Sequence, residues 1–230
     1  MIDILFTPKR IQLFDEKAYS NFPEDLLILM KNSIVQLKLK RNQVLYHEGT
    51  MTLGLYIVKR GKLKKYTSGL NEREFIFSLV RENDILGQHA LITKDAHAYS
   101  VAALEDCVID FIPFDVFSRI KKHYKFLSEK LLICMTQEVR MFITGCRVLA
   151  QHTVRERTAI SILKLKEFYK EDINGFCISR RDHSNIVGTS VESLIRVLAE
   201  FKTENLITIQ DDSSIMIVNE AALRKTANLY

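Results

Sequence analysis

Glu192 and Arg196 lie four residues apart, so on a helix their carboxylate and guanidinium share one face. Two such groups have two uses. They can pair with each other as a surface ion pair worth about 0.2–0.5 kcal/mol. Alternatively they can read a G·C base pair, with the guanidinium gripping guanine O6 and N7 and the carboxylate accepting from cytosine N4. The side chains around them favour the second use. Ser179, Arg180, Arg181, Ser190 and Ser193 are suited to phosphates, contacts that position a protein on a duplex without reading its sequence.

The elements that must hold these groups are written in the stretch SRRDHSNIVGTSVESLIRVLAEFKTENL, Ser179–Leu206. It predicts two short helices joined by a turn at Gly188. Ser179 with Asp182 fits a capping box, and Ile186 and Val187 give the first helix an apolar face. Ser190 can cap the second helix, whose Leu194, Val197, Leu198 and Phe201 recur at helical spacing. Next, Ile207, Ile209, Ile215 and Ile217 alternate in phase around the polar turn Asp211–Ser214, the pattern of a β-hairpin. Two helices and a hairpin make a winged helix-turn-helix, in which the N-terminal face of the second helix meets base edges in the major groove.

Upstream, residues 35–115 form short alternating runs broken by turn signals: VQLKLK, LYIVKRGKLKKY, REFIFSLV and SVAALEDCVIDFIP. They predict an antiparallel barrel or sandwich preceded by a helical segment near Glu24–Ile34. From about Tyr124 to Gln151 the period becomes helical. Leu132, Met135, Val139, Phe142, Cys146 and Leu149 are spaced as the a/d seam of a coiled coil. Such a helix would span roughly 40 Å, which suits dimerisation better than the packing of one compact domain. The alternative is that the seam packs on the chain's own barrel. Thr153 can cap a further helix from Val154 to about Tyr169, and Asn174-Gly175 reads as a turn before Phe176–Ile178.

Bulk properties narrow the classes. The 230 residues carry a formal charge of +5, which permits an anionic partner, but acids and bases nearly cancel in the last third. A DNA-binding surface there must come from local arrangement. No signal-peptide pattern opens the chain, and charges interrupt every apolar run, so a cytoplasmic protein without a membrane span is expected. The four cysteines, at 107, 134, 146 and 177, have no metal spacing and are expected to be small buried thiols. With no nucleophile elbow, HExxH or phosphate-cradling glycine loop, the chain is not expected to be an enzyme.

A small barrel, a long helix and a winged helix-turn-helix, in that order, resemble the Crp/Fnr family of bacterial transcription regulators. The resemblance rests on LYIVKRGKLKKY, NDILGQHALI and SVAALEDCVIDFI in the barrel, and most closely on RRDHSNIVGTSVESLIRVLAEFKTENLI. It implies an α+β protein in three parts: an N-terminal antiparallel β-barrel or jelly roll like a cyclic-nucleotide-binding domain (1–123), a dimerisation helix (124–151) and the winged helix-turn-helix (152–230). It further implies a homodimer on two-fold symmetric double-stranded DNA, with RNA polymerase as a further partner. The family's base-reading Glu and Arg fall on Glu192 and Arg196. Many members have an Arg just before that Glu; Val191 stands here, as in the Fnr-like branch, implying half-sites closer to TTG than to GTG. An apolar side chain beside a thymine methyl makes physical sense of that difference. Ile195 replaces the Ser usual in that branch, and His183 a position normally aliphatic, which reads as a partly buried core histidine.

The effector pocket departs from the family. Its Gly-Glu is Gly87-Gln88, and its phosphate-binding Arg-Ser aligns with His97-Ala98. A phosphodiester needs a permanent cation and several donors, so cyclic AMP or GMP is not expected. Another effector, or none, takes their place, and the Gly87–Leu91 turn could hold some other anion. An Fnr-type iron–sulfur cluster is not expected either, because no cysteine precedes Cys107. A haem-based gas or redox sensor is one alternative, since His89 and His97 flank the pocket, although lone histidines in polar loops are usually surface residues. Another alternative is a ligand-binding module that acts through protein contacts and leaves the winged helix unexplained.

Overall fold

The fold is taken from a computed structural model, which describes residues 22–69, 73–124, 126–169 and 175–228. Asn174 of the anticipated turn lies outside these. The chain divides into two compact units, the boundary falling inside one long helix between Val139 and Arg140; Ser68–Ile76 clusters with the C-terminal unit.

The first unit is built on two four-stranded antiparallel sheets. One joins β1 (Val35–Leu39), β8 (Cys107–Pro113), β3 (Gly54–Arg60) and β6 (Ile85–Leu86) in that order; the other joins β2 (Val44–Tyr46), β7 (Ser100–Ala103), β4 (Leu63–Ser68) and β5 (Glu74–Val80). Both sheets bury side chains in one cluster, Val58, Leu86 and Ile109 from the first and Leu63, Val80 and Val101 from the second. That shared core makes the strands a jelly-roll sandwich, as anticipated. Fully burying each such side chain stabilises the fold by roughly 1.5–3 kcal/mol. A second cluster joins α1 (Glu24–Ser33), α3 (Phe114–His123) and the start of the long helix α4 (Phe126–Gln151) around Leu26, Phe117, Ile120 and Leu127. The short helix α2 (Gln88–Thr93) follows β6.

Helix α4 carries two stripes. Leu127 and Leu131 are buried, and Cys134 and Glu138 are half-buried on the same face. One residue further round, Leu132, Val139, Phe142, Cys146 and Leu149 are exposed and Met135 is half-exposed. Packing on the chain's own barrel therefore uses 127, 131, 134 and 138 and leaves Leu132 and Val139 of the heptad seam exposed.

In the second unit, α5 (Val154–Phe168) begins with a complete capping box, Thr153 with Glu156. Helices α6 (Arg180–Val187) and α7 (Val191–Thr203) follow, joined through Gly188 at φ +69°, a left-handed conformation that closes helices without the penalty of a side chain. Strands β9 (Ile207–Ile209) and β10 (Ile215–Ile217) pair in the anticipated phase, Ile209 opposite Ile215 and Ile207 opposite Ile217. Helix α8 (Glu220–Thr226) closes the unit. Arg157 donates to the carbonyls of Leu149, His152 and Gly188 at 3.2–3.3 Å, linking the end of α4, the connection to α5 and the turn between α6 and α7.

Two expectations need correction. Only Cys107 is a buried thiol; Cys134 is half-buried, while Cys146 and Cys177 are exposed. Cys146 lies on the uncovered seam of α4, where apolar spacing does not mean burial within one chain. His183, read as partly buried, is wholly enclosed. Its Nε2 lies 2.8 Å from Ser161 Oγ, whose single hydrogen goes to the Thr158 carbonyl. Nε2 must therefore carry the imidazole proton and Ser161 must accept it, leaving Nδ1 bare and without a partner. Burial first, and the Arg180 charge second, push the imidazole pKa down to about 3.

Candidate DNA interface and effector pocket

The sequence of α7 divides it into a buried and a presented face. Leu194, Val197, Leu198 and Phe201 are buried against the unit's core. Glu192, Ile195 and Arg196 face solvent, with Val191 and Ser193 half-exposed beside them. Among the described residues Glu192 and Arg196 form no ion pair with each other, so the Arg196 guanidinium is not tied to the carboxylate beside it. A hydrogen bond from its own backbone N–H, first among the causes, holds the Glu192 carboxyl below its ordinary range, so it is ionised at neutral pH. Ile195 is half exposed, an apolar side chain among polar ones on the presented face.

The anticipated phosphate-binding groups gather at the N-termini of α6 and α7. Ser179 Oγ accepts from the Asp182 backbone N–H at 2.9 Å and donates to the Asp182 carboxylate at 2.7 Å. Ser190 Oγ accepts from the Ser193 N–H and donates to the Ser193 hydroxyl, both at 3.1 Å. Both serines therefore act as helix caps. Arg181 is exposed, whereas Arg180 is half-buried and donates to the Ser213 carbonyl at the hairpin turn. Of the two, Arg181 is the freer cation.

The pocket residues in the first unit are less uniform than the sequence implies. Gly87 caps α2 with φ +86°, where a Cβ would meet the Gly54 carbonyl at 3.0 Å. Ala98 is exposed. His97 is buried, its ring stacked on Tyr46 at 3.7 Å between centroids, and burial pushes its pKa down. It is a neutral packing group and not the surface residue anticipated. Gln88 is buried, and its Nε2 donates to both oxygens of Glu138 on α4, at 3.1 and 3.2 Å. His89 Nε2 lies 2.5 Å from Glu138 Oε2, so this histidine is also engaged. Lys65, buried on β4, closes the group with Nζ 2.6 Å from Glu138 Oε1.

Sequence reasoning missed Lys65 and Glu138. Burial alone would raise the Glu138 carboxyl, but the Lys65 charge and the His89 hydrogen bond outweigh it and hold the carboxyl down to about 2. Glu138 was detectable only as an acid in the otherwise apolar 127/131/134 stripe. Nearby, burial first keeps the Tyr46 and Tyr99 phenols well above their ordinary range, so both stay protonated. Neither hydroxyl makes a hydrogen bond of standard geometry.

Comparison with known proteins gives two family matches, "Cyclic nucleotide-binding domain" over residues 36–124 and "Crp-like helix-turn-helix domain" over 156–226. The chain is 27% identical over 179 residues to the anaerobic regulatory protein of Haemophilus influenzae, spanning 75% of this chain and 68% of that protein. It is 24% identical over 198 residues to the fumarate and nitrate reduction regulatory protein of Vibrio cholerae, spanning 83% and 78% respectively. Among solved structures, FixK2 from Bradyrhizobium japonicum shares the fold with a TM-score of 0.76 at 18% identity, covering 86% of this chain and 98% of that one.

Proposed function

We propose, from the premise that the chain belongs to the Crp/Fnr family of DNA-binding transcription regulators, that it reads an inverted repeat as a homodimer without cyclic AMP or GMP. That it is a regulator and not an enzyme follows from the family. The dimer rests on one observation: Leu132 and Val139 are each more than half exposed along a single heptad seam. A soluble chain seldom leaves such a stripe uncovered. Glu192 and Arg196 read a G·C pair in each half-site. Val191 and Ile195 meet thymine methyls, which favours a TTG-like half-site. Arg181 and the helix N-termini contact phosphates, with Arg180 steadying the hairpin.

The pocket does not suit a phosphodiester. Where the ribose carboxylate of the family would stand, Gln88 holds a carboxylate of the chain itself. At the phosphate position, Ala98 brings only a methyl and His97 is stacked and uncharged. The two histidines that flank the pocket have other roles that speak against haem, His97 packing on Tyr46 and His89 bound to Glu138. We place the protein in the cytoplasm with its DNA; no described helix is long and apolar enough to cross a membrane. RNA polymerase is the further partner we propose.

Selection from a random DNA pool by the purified, ligand-free protein tests this reading. An inverted repeat with TTG-like half-sites is expected. A GTG-like consensus overturns the role given to Val191, and a folded dimer that enriches nothing overturns ligand-free DNA binding.

A further inference from the structure

Three donors from two separate stretches of chain converge on one carboxylate. Lys65 Nζ lies on β4, while Gln88 Nε2 and His89 Nε2 lie on α2; together they surround both oxygens of Glu138. Lys65 and Gln88 are almost wholly buried, whereas about a third of the Glu138 side chain reaches solvent, at 32% exposure against 6% for the Lys65 side chain. Lys65 and Gln88 are therefore the fixed part of the arrangement, while His89, with 36% of its side chain exposed, sits with the anion on the accessible side. A buried ammonium cannot stand without a counter-charge, because removing one partner of such a pair strands the other in a poor solvent. Further polar groups stand close by. The Lys65 ammonium sits 5.2 Å over the Tyr99 ring, and the Tyr46 and Tyr99 hydroxyls and Gln88 Oε1 have no hydrogen bond of standard geometry.

We infer that Lys65, Gln88 and His89 form an oxyanion site that the protein's own Glu138 fills, and that a small carboxylate entering this site displaces Glu138 as the regulatory cue. This deepens the reading of the pocket given above and rests on it. The donors suit a planar carboxylate: one ammonium, one amide N–H and one imidazole N–H, all reaching two oxygens about as far apart as those of Glu138. Gln88 Oε1 offers a contact for a polar substituent on such an acid, which Glu138 itself does not use. Coupling follows from position. Glu138 immediately precedes Val139, so freeing it releases the inward stripe of α4 directly beside a residue of the exposed seam.

The test uses the full-length protein with acetate as the probe and chloride at equal ionic strength as the control. Glu138→Ala opens the seat; Glu138→Gln keeps its shape without the charge. Expected is a saturable rise in the unfolding temperature of Glu138→Ala with acetate but not chloride. The Gln variant should respond more weakly, the wild type least, and the double variant Lys65→Met/Glu138→Ala not at all. Glu138→Ala, already without this tether on α4, should differ from the wild type in DNA affinity by roughly fivefold or more, a usual size for coupled sites, and saturating acetate should move the wild type towards it. If the folded Ala and Gln variants respond to acetate and chloride alike, there is no oxyanion site. If acetate stabilises Glu138→Ala yet that variant binds DNA as the wild type does, the displacement is not a cue, and the inference also falls. Cyclic AMP titrated into the wild type separates this result from the pocket reading, because cyclic AMP binding would overturn that reading whatever acetate does.

Discussion

His183 makes the stability of the DNA-binding unit depend on pH in a way that can be calculated. In the folded chain its imidazole is neutral, with Nε2–H held by Ser161 and a pKa pushed down to about 3; unfolded, it returns to its ordinary 6.5. Below 6.5 the unfolded state takes up a proton that the folded state refuses. Stability is therefore fully present above pH 6.5, declines as pH falls below it, and stops declining near the folded value of about 3. Between about pH 7.5 and about pH 5.5 this one group should remove about 1.4 kcal/mol. That change does not depend on the folded pKa as long as it stays well below 5. Urea unfolding followed by far-ultraviolet circular dichroism measures it, with His183→Leu as the reference. Leucine fills a similar volume, and Ser161 keeps its bond to the Thr158 carbonyl. Acid effects on the carboxylates are common to both proteins and cancel in the difference. The wild type should lose about 1.4 kcal/mol more than the variant over that interval. A difference of a few tenths or less would mean that the folded histidine titrates normally, and the enclosed, singly bonded imidazole would be the wrong description.

Three further outcomes are expected. Arg196→Ala should cost roughly 1–3 kcal/mol of specific binding and relax preference at one base position, read from the selected consensus; an unchanged consensus would misplace the recognition face. Arg181→Ala should weaken binding to all sequences alike and reduce the salt slope by about one unit, measured by fluorescence anisotropy across ionic strengths. Phe142 is 55% exposed, so dimerisation can cover about 100 Å² of each ring, or roughly 2–3 kcal/mol per protomer. Phe142→Ala should accordingly weaken the dimer by at least 100-fold, read by sedimentation at low micromolar concentration.

Much of the fold was legible because it is periodic. The α7 spacing of Leu194, Val197, Leu198 and Phe201 and the hairpin phase of Ile207 through Ile217 each repeat often enough to fix a face. Strands β2 and β6, of three and two residues, are too short for alternation to show, and all four residues of β7 are buried, so no polar partner marks its period. The recognition face could be read for the same reason as α7. The pocket could not. Lys65 and Glu138 are 73 residues apart, and only the packing of α4 on the barrel brings them together. Gln88 could be read as a lost carboxylate, but not as a donor to one supplied from elsewhere. His183 was recognisable as odd in its position; its tautomer follows only from the second bond made by Ser161.

Arg157 binds carbonyls from the last turn of α4, from the connection after it and from the turn between α6 and α7. A joint of one or two residues between helices would ordinarily be free to bend, and this guanidinium removes much of that freedom. The end of the long helix and the base-reading turn then travel together, like the head and shaft of one tool. In the proposed homodimer, two such tools gripped along their shafts would have a set gap between their heads. The promoter spacing this regulator tolerates should therefore be narrow, and rewriting Arg157 is the simplest way to loosen its ruler.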